Sequence, residues 1–131
     1  IPSEYLPGFK ENRLNGEEVK KLLLGSSITG FPRNYPGGHP WKIDYGKDGR
    51  FMWEGQEPTS FRTVKNGEEA ISSDTGKIWI EGNLLCQQYQ KRFWGLEFCS
   101  TAFRNPRGTD AGKDQYFLFQ DFGAATFSLV R

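Results

Sequence analysis

Short runs of alternating apolar and polar residues, separated by turn-forming residues, make up most of the chain. The clearest run is 74–86, where Ile78 and Ile80 alternate with larger or charged neighbours before Gly82 and Asn83 interrupt the pattern. Alternation with a period of two predicts a β-strand, and glycine followed by asparagine accepts the positive φ angles of a tight turn. A second apolar run follows at once, so the stretch predicts a β-hairpin.

A helical pattern occurs near the start of the chain, after an irregular lead-in at 1–13. Asn15 and Glu18 have the spacing of a capping box, in which each side chain accepts a hydrogen bond from the other's backbone amide. Apolar residues within 19–23 share one face, and Gly25 is a typical helix stop. A helix of about ten residues is not stable alone in water, so we expect it to pack against the strands.

The remaining alternating runs are short and are bounded by turn-forming residues. They predict strands at 26–30, 41–45, 50–54, 61–64, 96–103, 116–122 and 126–130, in addition to the two strands of the hairpin. Successive hairpins of this kind favour an antiparallel β-barrel of about eight strands, or a strongly curled sheet, with the helix over one open end or face. We expect 1–131 to form this single, mainly β domain.

The composition agrees with a strand-rich domain and argues against some functions. A chain of 131 residues is long enough for one domain with a substantial core. Aromatic residues make up 15% of it, which is typical of strand-rich domains. Lys and Arg total 17 against 16 for Asp and Glu, whereas nucleic-acid binding usually needs a basic surface. The sequence has no apolar run near the roughly 18 residues of a membrane-spanning helix. We therefore expect no nucleic-acid partner and no membrane span.

Large aromatic residues dominate the energetics of protein cores. On that ground we expect Trp79, Phe117 and Phe119 to pack inside the barrel. Trp79 is expected to be the core anchor of the central hairpin, so that its replacement by alanine would cost roughly 3–5 kcal/mol.

The two cysteines are predicted to form a disulfide. Cys86 and Cys99 fall on consecutive predicted strands, and a hairpin turn near 92–93 sets them roughly opposite each other. Cross-strand pairs that share no backbone hydrogen bond bring their Cα atoms to about 4.5 Å, which is within disulfide range. The alternative is two free buried thiols.

Motifs for catalysis are weak. The Asp-Thr-Gly triplet at 74–76 matches that of aspartic proteases, but serines rather than an apolar strand precede it, so a turn at a strand entry is the better interpretation. His39 is the single histidine and lies in a loop rich in proline and glycine. The sequence shows neither a cluster with metal-ligand spacing nor a phosphate-binding loop. We therefore expect no catalytic residue, no cofactor and no metal.

Three pieces of the chain share their order and spacing with a known family. They are 14–17 with 22–25 and Gly30, then Tyr45 with 48–49, and then Gly76, Trp79, Gly82, 85–86 and Cys99. From Leu14 onward the chain thereby resembles a bacterial family of small secreted domains of unknown function with a lipocalin-like β-barrel. It departs from the pattern at Lys77 and Ile78, where the family usually has one residue. The resemblance implies a barrel and export to the periplasm or the medium, and it brings no catalytic residues.

Two aromatic loops are candidates for a binding site. The stretches 31–41 and 92–94 combine flat apolar surface with polar or cationic groups, as a ligand pocket requires. If both loops lie at the same end of the barrel, we expect one site there. Its residues would be Tyr35, His39, Trp41, Arg92 and Trp94. The alternative is that Trp41 faces the core and Trp94 only caps a hairpin.

These observations predict a monomeric, non-enzymatic binding module exported by a bacterium, with a small molecule or an envelope protein as its ligand at the barrel mouth. Two alternatives stay open. One is a small hydrolase or isomerase built in the mouth, which a ring of buried Asp, Glu or Arg would favour. The other is a purely protein-interacting domain, in which the barrel is filled and a surface patch binds the partner.

Overall fold

A computed structural model describes residues 10–32, 40–55, 71–105, 115–120 and 123–130, with only the backbone for 31, 32, 123 and 124. The described residues form eight antiparallel strands that close into a barrel, preceded by one α-helix. The predicted mainly β architecture, an antiparallel barrel with a short N-terminal helix, is confirmed. The strand predicted at 61–64 lies outside the described residues.

The strands follow one another in up-and-down order. The elements are α1 Gly16–Leu23, β1 Ser27–Pro32, β2 Trp41–Tyr45, β3 Arg50–Glu54, β4 Ser73–Glu81, β5 Leu84–Tyr89, β6 Glu97–Arg104, β7 Tyr116–Gln120 and β8 Gly123–Val130. Each strand pairs with the next along the chain, and β8 pairs back with β1 to close the barrel. Consecutive strands therefore run in opposite directions around the whole circumference.

Because consecutive strands alternate in direction, successive strand connections lie at opposite ends of the barrel. The helix end is the one that holds the β2–β3 and β4–β5 turns, and α1 packs there. The loop end is the one from which the β1–β2, β3–β4 and β5–β6 connections leave. The first turn of α1 contacts the helix end closely, since the amide of Gly16 donates to Oδ1 of Asn83 at 3.1 Å. A Cβ on Gly16 would lie 2.4 Å from the carbonyl oxygen of Gly82, so glycine permits this approach.

The predicted capping box of α1 is present. The amide of Glu18 donates to Oδ1 of Asn15 at 2.9 Å, and the amide of Asn15 donates to Oε1 of Glu18 at 3.1 Å. Val19 and Leu23 are each 1% exposed, which defines the buried face of the helix. Gly25 has a left-handed φ of 79° just after the helix ends. The helix therefore packs against the barrel, as its short length requires.

One hydrophobic cluster runs through the barrel interior and under α1. Its buried members are Leu14, Val19, Leu23, Ile28, Ile43, Tyr45, Phe51, Trp53, Ile71, Leu85, Tyr89, Ala102, Leu118 and Phe127. Each of them is 7% exposed or less. Within the cluster the ring of Phe51 lies 5.8 Å from that of Tyr45 and 4.9 Å from that of Tyr89, both edge-on. Over the described residues the barrel interior is thus packed with side chains.

The strand register puts Trp79, Phe117 and Phe119 on the outer face of the barrel, so the prediction that they are core residues is wrong. Ile78 and Leu118 occupy the adjacent inward positions, where Leu118 belongs to the core cluster and Ile78 packs against it. The size of an aromatic ring favours burial. A period of two, however, turns only every second strand residue inward, and aliphatic residues hold those positions here.

The predicted disulfide between Cys86 and Cys99 is confirmed. The two residues lie directly opposite each other on β5 and β6, with their Cα atoms 3.9 Å apart and their sulfurs bonded. Trp79 on β4 is the partner of Cys86 on its other side, so the disulfide also lies on the outer face. The disulfide cross-links the two strands that carry the 90–96 connection.

Candidate ligand-binding site at the loop end

Three of the five predicted site residues lie within the described residues, and all three belong to the loop end. Trp41 begins β2, and Arg92 and Trp94 lie in the connection between β5 and β6. The β1–β2 and β5–β6 connections leave from the same end because β1 and β5 run in the same direction. Tyr35 and His39 lie outside the described residues. A single site framed by all five therefore stays a prediction.

The β5–β6 loop, defined as residues 90–96, is anchored by a buried carboxylate on β4. Asp74 is 5% exposed, and its Oδ2 accepts the backbone amides of Lys91 at 2.9 Å and Arg92 at 2.8 Å. Its Oδ1 accepts the amide of Thr75 at 2.9 Å. Three amide donors compensate for the burial of this charge, and hydrogen bonds to an ionised acceptor are stronger than neutral ones. The start of the loop is therefore fixed to the neighbouring strand.

The backbone at the tip of the loop is held in an uncommon conformation. Phe93 and Trp94 both lie in the left-handed region, with φ of 54° and 55°, which costs a residue with a Cβ roughly 1–2 kcal/mol. Nε2 of Gln88 donates to the carbonyl oxygen of Gly95 at 2.9 Å and supports the turn. As a result two large apolar side chains face solvent, Trp94 at 76% exposure and Leu96 at 62%.

Arg92 turns inward where Trp94 turns outward. Its guanidinium carbon lies 3.9 Å from the ring centroid of Trp53, 4.8 Å from that of Tyr89 and 4.9 Å from that of Phe93. Cation–π attraction of this kind strengthens when the partners are removed from water. The Nε of Arg92 is buried and has no hydrogen-bond partner. The ion pairs found among the described residues do not include Arg92.

Trp41 lies on β2, next to the strand that carries Trp53. It is half-buried and packs against the hydrophobic core. A Cβ on Gly30, its partner on β1, would come within 2.8 Å of the Trp41 ring, which shows that the indole leans over the glycine. Trp41 thus contributes an apolar wall to the loop end, while Trp94 projects from its rim.

The buried Tyr89 lies near the charged groups of the site, and the buried Tyr45 lies near Tyr89. Burial raises the pKa of Tyr89; the charge of Arg92 lowers that pKa in part, and Asp74 raises it further. Burial also raises the pKa of Tyr45 well above its ordinary value, and the neighbouring Tyr89 adds to the rise. Both hydroxyl groups are therefore neutral at physiological pH, and they act as dipoles rather than as charged bases.

The arrangement suits binding better than acid–base chemistry. The carboxylate of Asp74 accepts three backbone amides and holds the start of the β5–β6 loop in place. Arg92 offers a positive charge held between aromatic rings, and Trp94 offers an exposed ring beside it in the chain. A cationic group with flat apolar surface can orient a ligand that has matching groups.

One cluster of potential metal ligands exists among the described residues. The carboxylate of Glu81 and the sulfurs of Cys86 and Cys99 lie within 4.8 Å of one another on the outer face. The two sulfurs are bonded to each other, however, and metal ligation by cysteine requires thiolates. Glu81 also accepts a hydrogen bond from Nε1 of Trp79 at 3.2 Å. While the disulfide is intact, the sulfurs of this cluster do not bind a metal, and Cys86 is fully buried.

Sequence reasoning missed the residues that shape this end of the barrel. The sequence predicts a turn at a strand entry for the triplet at 74–76, which is wrong, because the triplet lies inside β4. No local pattern indicates that the rings of Trp53 and Tyr89 meet the side chain of Arg92, which is separated from Trp53 along the chain by two strands.

Comparisons with known proteins supply no family and no function. No family model matches the chain, and neither a curated protein nor a solved structure matches it. The resemblance to a bacterial family of secreted domains therefore rests on the sequence pieces alone. Among the described residues, no helix has both the length and the apolar character to cross a membrane.

Proposed function

We propose that the protein is a monomeric, non-enzymatic binding module that takes a small-molecule ligand at the loop end of the barrel. The observation that carries this proposal is the exposure of Trp94 and Leu96, at 76% and 62%, on the β5–β6 loop. Asp74 and the left-handed backbone hold that loop in place before a ligand arrives. A preorganised aromatic surface loses little conformational entropy on binding, so it binds better than a mobile one.

Export by a bacterium is part of the proposal. The Cys86–Cys99 disulfide supports it, because disulfides form and persist mainly in oxidising compartments such as the periplasm and the extracellular space. The lipocalin-like family that the sequence resembles is also secreted. The ligand would accordingly be met in the periplasm or outside the cell.

A ligand screen followed by calorimetry tests the proposed function. Compounds are screened against the wild-type protein by tryptophan fluorescence, and each hit is titrated by calorimetry, because Trp94→Ala removes one of the fluorescent reporters. We expect Trp94→Ala to weaken binding by at least about tenfold, as the loss of a central aromatic contact does. Its thermal midpoint should stay close to that of the wild type because the ring is exposed.

Met52→Ala is the matched control. Met52 is an exposed apolar residue, 49% accessible, on the outer face of β3. We expect this variant to bind every hit as the wild type does. Equal affinities of the wild type and Trp94→Ala for all hits would contradict a ligand site that includes the β5–β6 loop.

A second candidate function is a protein-interacting domain with a filled barrel. The packing of the described interior, with buried side chains at 7% exposure or less, favours this candidate over a deep ligand cavity. A photo-crosslinking amino acid in place of Trp94 distinguishes the two in the cells that make the protein. A single discrete covalent protein adduct supports the protein partner, whereas its absence together with a small-molecule hit supports the first candidate.

A further inference from the structure

We infer that the ligand is an amphipathic anion, a small molecule with a flat apolar body and one carboxylate, sulfonate or phosphate group, and that Arg92 is its counter-charge. This inference rests on the proposed small-molecule function and specifies the chemistry of the same site. It is carried by the position of the Arg92 side chain within the loop end.

The charge of Arg92 has no direct acidic partner within the described part of the chain. Its Nε is buried without a hydrogen bond, and Arg92 takes part in none of the ion pairs there. Asp74 accepts the backbone amide of Arg92, and its two oxygens are already shared by three amides. The guanidinium group shares a hydrogen bond with the side chain of Tyr89, but the buried Nε is left unpaired, which is unfavourable. An anionic ligand would supply the full negative charge that the neutral Tyr89 does not.

Aromatic rings hold the guanidinium group in place for such a ligand. Trp53, Tyr89 and Phe93 surround it at centroid distances of 3.9, 4.8 and 4.9 Å. These rings fix the position of the charge but supply no full negative charge to neutralise it. Low-polarity surroundings also strengthen the attraction between Arg92 and an anion compared with the same pair in water. A rigid guanidinium can bind a carboxylate through two parallel hydrogen bonds.

The apolar part of the ligand has surface to contact at the same end. Arg92 is itself partly exposed, and two residues later Trp94 presents an indole ring that is 76% exposed. Trp41 provides a further half-buried ring at the loop end. A ligand that places its anionic group on Arg92 can therefore cover apolar surface with the rest of its body. This combination favours amphipathic anions over both simple salts and neutral apolar compounds.

A matched pair of fluorescent probes tests the inference on the intact protein. The anionic probe 1-anilinonaphthalene-8-sulfonate and the neutral probe N-phenyl-1-naphthylamine share the same aromatic body and differ by the sulfonate. We expect the wild type to bind the anionic probe at least about tenfold more tightly, which is the effect of one charge-assisted hydrogen-bonded contact. Arg92→Gln should remove that preference, and Arg92→Lys should retain part of it.

Lys91→Gln is the charge-matched control, since Lys91 is the exposed neighbour of Arg92 and holds Asp74 only through its backbone amide. This variant should keep the preference for the anionic probe. Equal binding of both probes by the wild type, or an undiminished preference in Arg92→Gln, would overturn the inference and leave the proposed function standing. If neither probe binds, the inference is also overturned, and the ligand screen decides the small-molecule function separately. If Arg92→Gln does not fold, Arg92→Lys takes its place, and an unchanged preference in that variant would overturn the assignment to Arg92.

Discussion

At the scale of single residues, the interior combines hydroxyl groups with aromatic rings rather than free charges. Tyr45 and Tyr89 are each 5% exposed, and burial raises the pKa of both. The charged groups near Tyr89 are held by specific contacts, Asp74 by backbone amides and Arg92 by aromatic rings. Deprotonation of Tyr45 would place a negative charge in the buried core. The free energy of unfolding should therefore decrease at alkaline pH.

We predict that the free energy of unfolding falls as the pH rises above about 10. The folded protein keeps the Tyr45 proton to higher pH than the unfolded chain does, since burial raises the folded-state pKa. The stabilisation is thus complete below the unfolded pKa and is lost as the pH rises towards the folded pKa. Each such group contributes a slope of up to about 1.4 kcal/mol per pH unit.

Urea unfolding between pH 8 and about 11.5 measures this dependence. Tyr45→Phe is the control, because it removes the titrating hydroxyl and keeps the ring. Its stability should fall less steeply with pH than that of the wild type, by the equivalent of one proton. Identical slopes for the two proteins would show that Tyr45 titrates normally in the folded state.

At the scale of elements, the two faces of each strand have different roles. The inward face of β3 carries Phe51 and Trp53, whereas the outward face of β4 carries Trp79 beside the disulfide. Both tryptophans lie on predicted strands, and the sequence alone assigned Trp79 to the core because of its size. The structure separates them by exposure, since Trp53 is 2% exposed and Trp79 is half-buried. Their replacement should therefore have unequal costs.

We predict that Trp53→Ala lowers the free energy of unfolding by roughly 3–5 kcal/mol, because it leaves a cavity in the packed interior. Trp79→Ala should cost about 1–2 kcal/mol, since the ring loses partial burial and one hydrogen bond to Glu81. Chemical denaturation of both variants measures the difference. Equal losses, or a larger loss for Trp79→Ala, would restore Trp79 as the core anchor.

The sequence pattern is sufficient to predict features whose residues lie close together along the chain. The capping box of Asn15 and Glu18, the hairpin turn at 82–83 and the pairing of Cys86 with Cys99 follow from spacing within one helix or hairpin. The candidate site depends on contacts between distant residues. Asp74 reaches the amide of Arg92 across a sequence separation of 18, and no local pattern predicts that hydrogen bond.

The backbone of the β5–β6 loop was equally hidden from sequence reasoning. Left-handed conformations are usually marked by glycine or asparagine, but here they occur at Phe93 and Trp94. Contacts outside the loop stabilise them, including the rings of Tyr89 and Phe98, which lie 5.5 and 4.8 Å from that of Phe93. Tertiary structure therefore decides which side chain of the loop points inward and which points outward.

At the scale of the whole molecule, the two ends of the closed barrel differ in structure. The helix end is covered by α1, whose apolar face joins the core cluster. The loop end gathers the connections that leave β1, β3 and β5. Function in barrels of this size is usually located in such loops, because the strands are needed for closure. The central claim is therefore that a ligand contacts the loop end and leaves the helix end unchanged.

Amide chemical-shift mapping tests this claim most directly. The ¹⁵N-labelled wild-type protein is titrated to saturation with 1-anilinonaphthalene-8-sulfonate, and shifts are mapped onto the structure. We predict the largest changes at 90–96, at Asp74 and at the indole groups of Trp41 and Trp53, with small changes in α1 and at 82–83. Changes centred on α1, or on the outer face around Trp79, would contradict it.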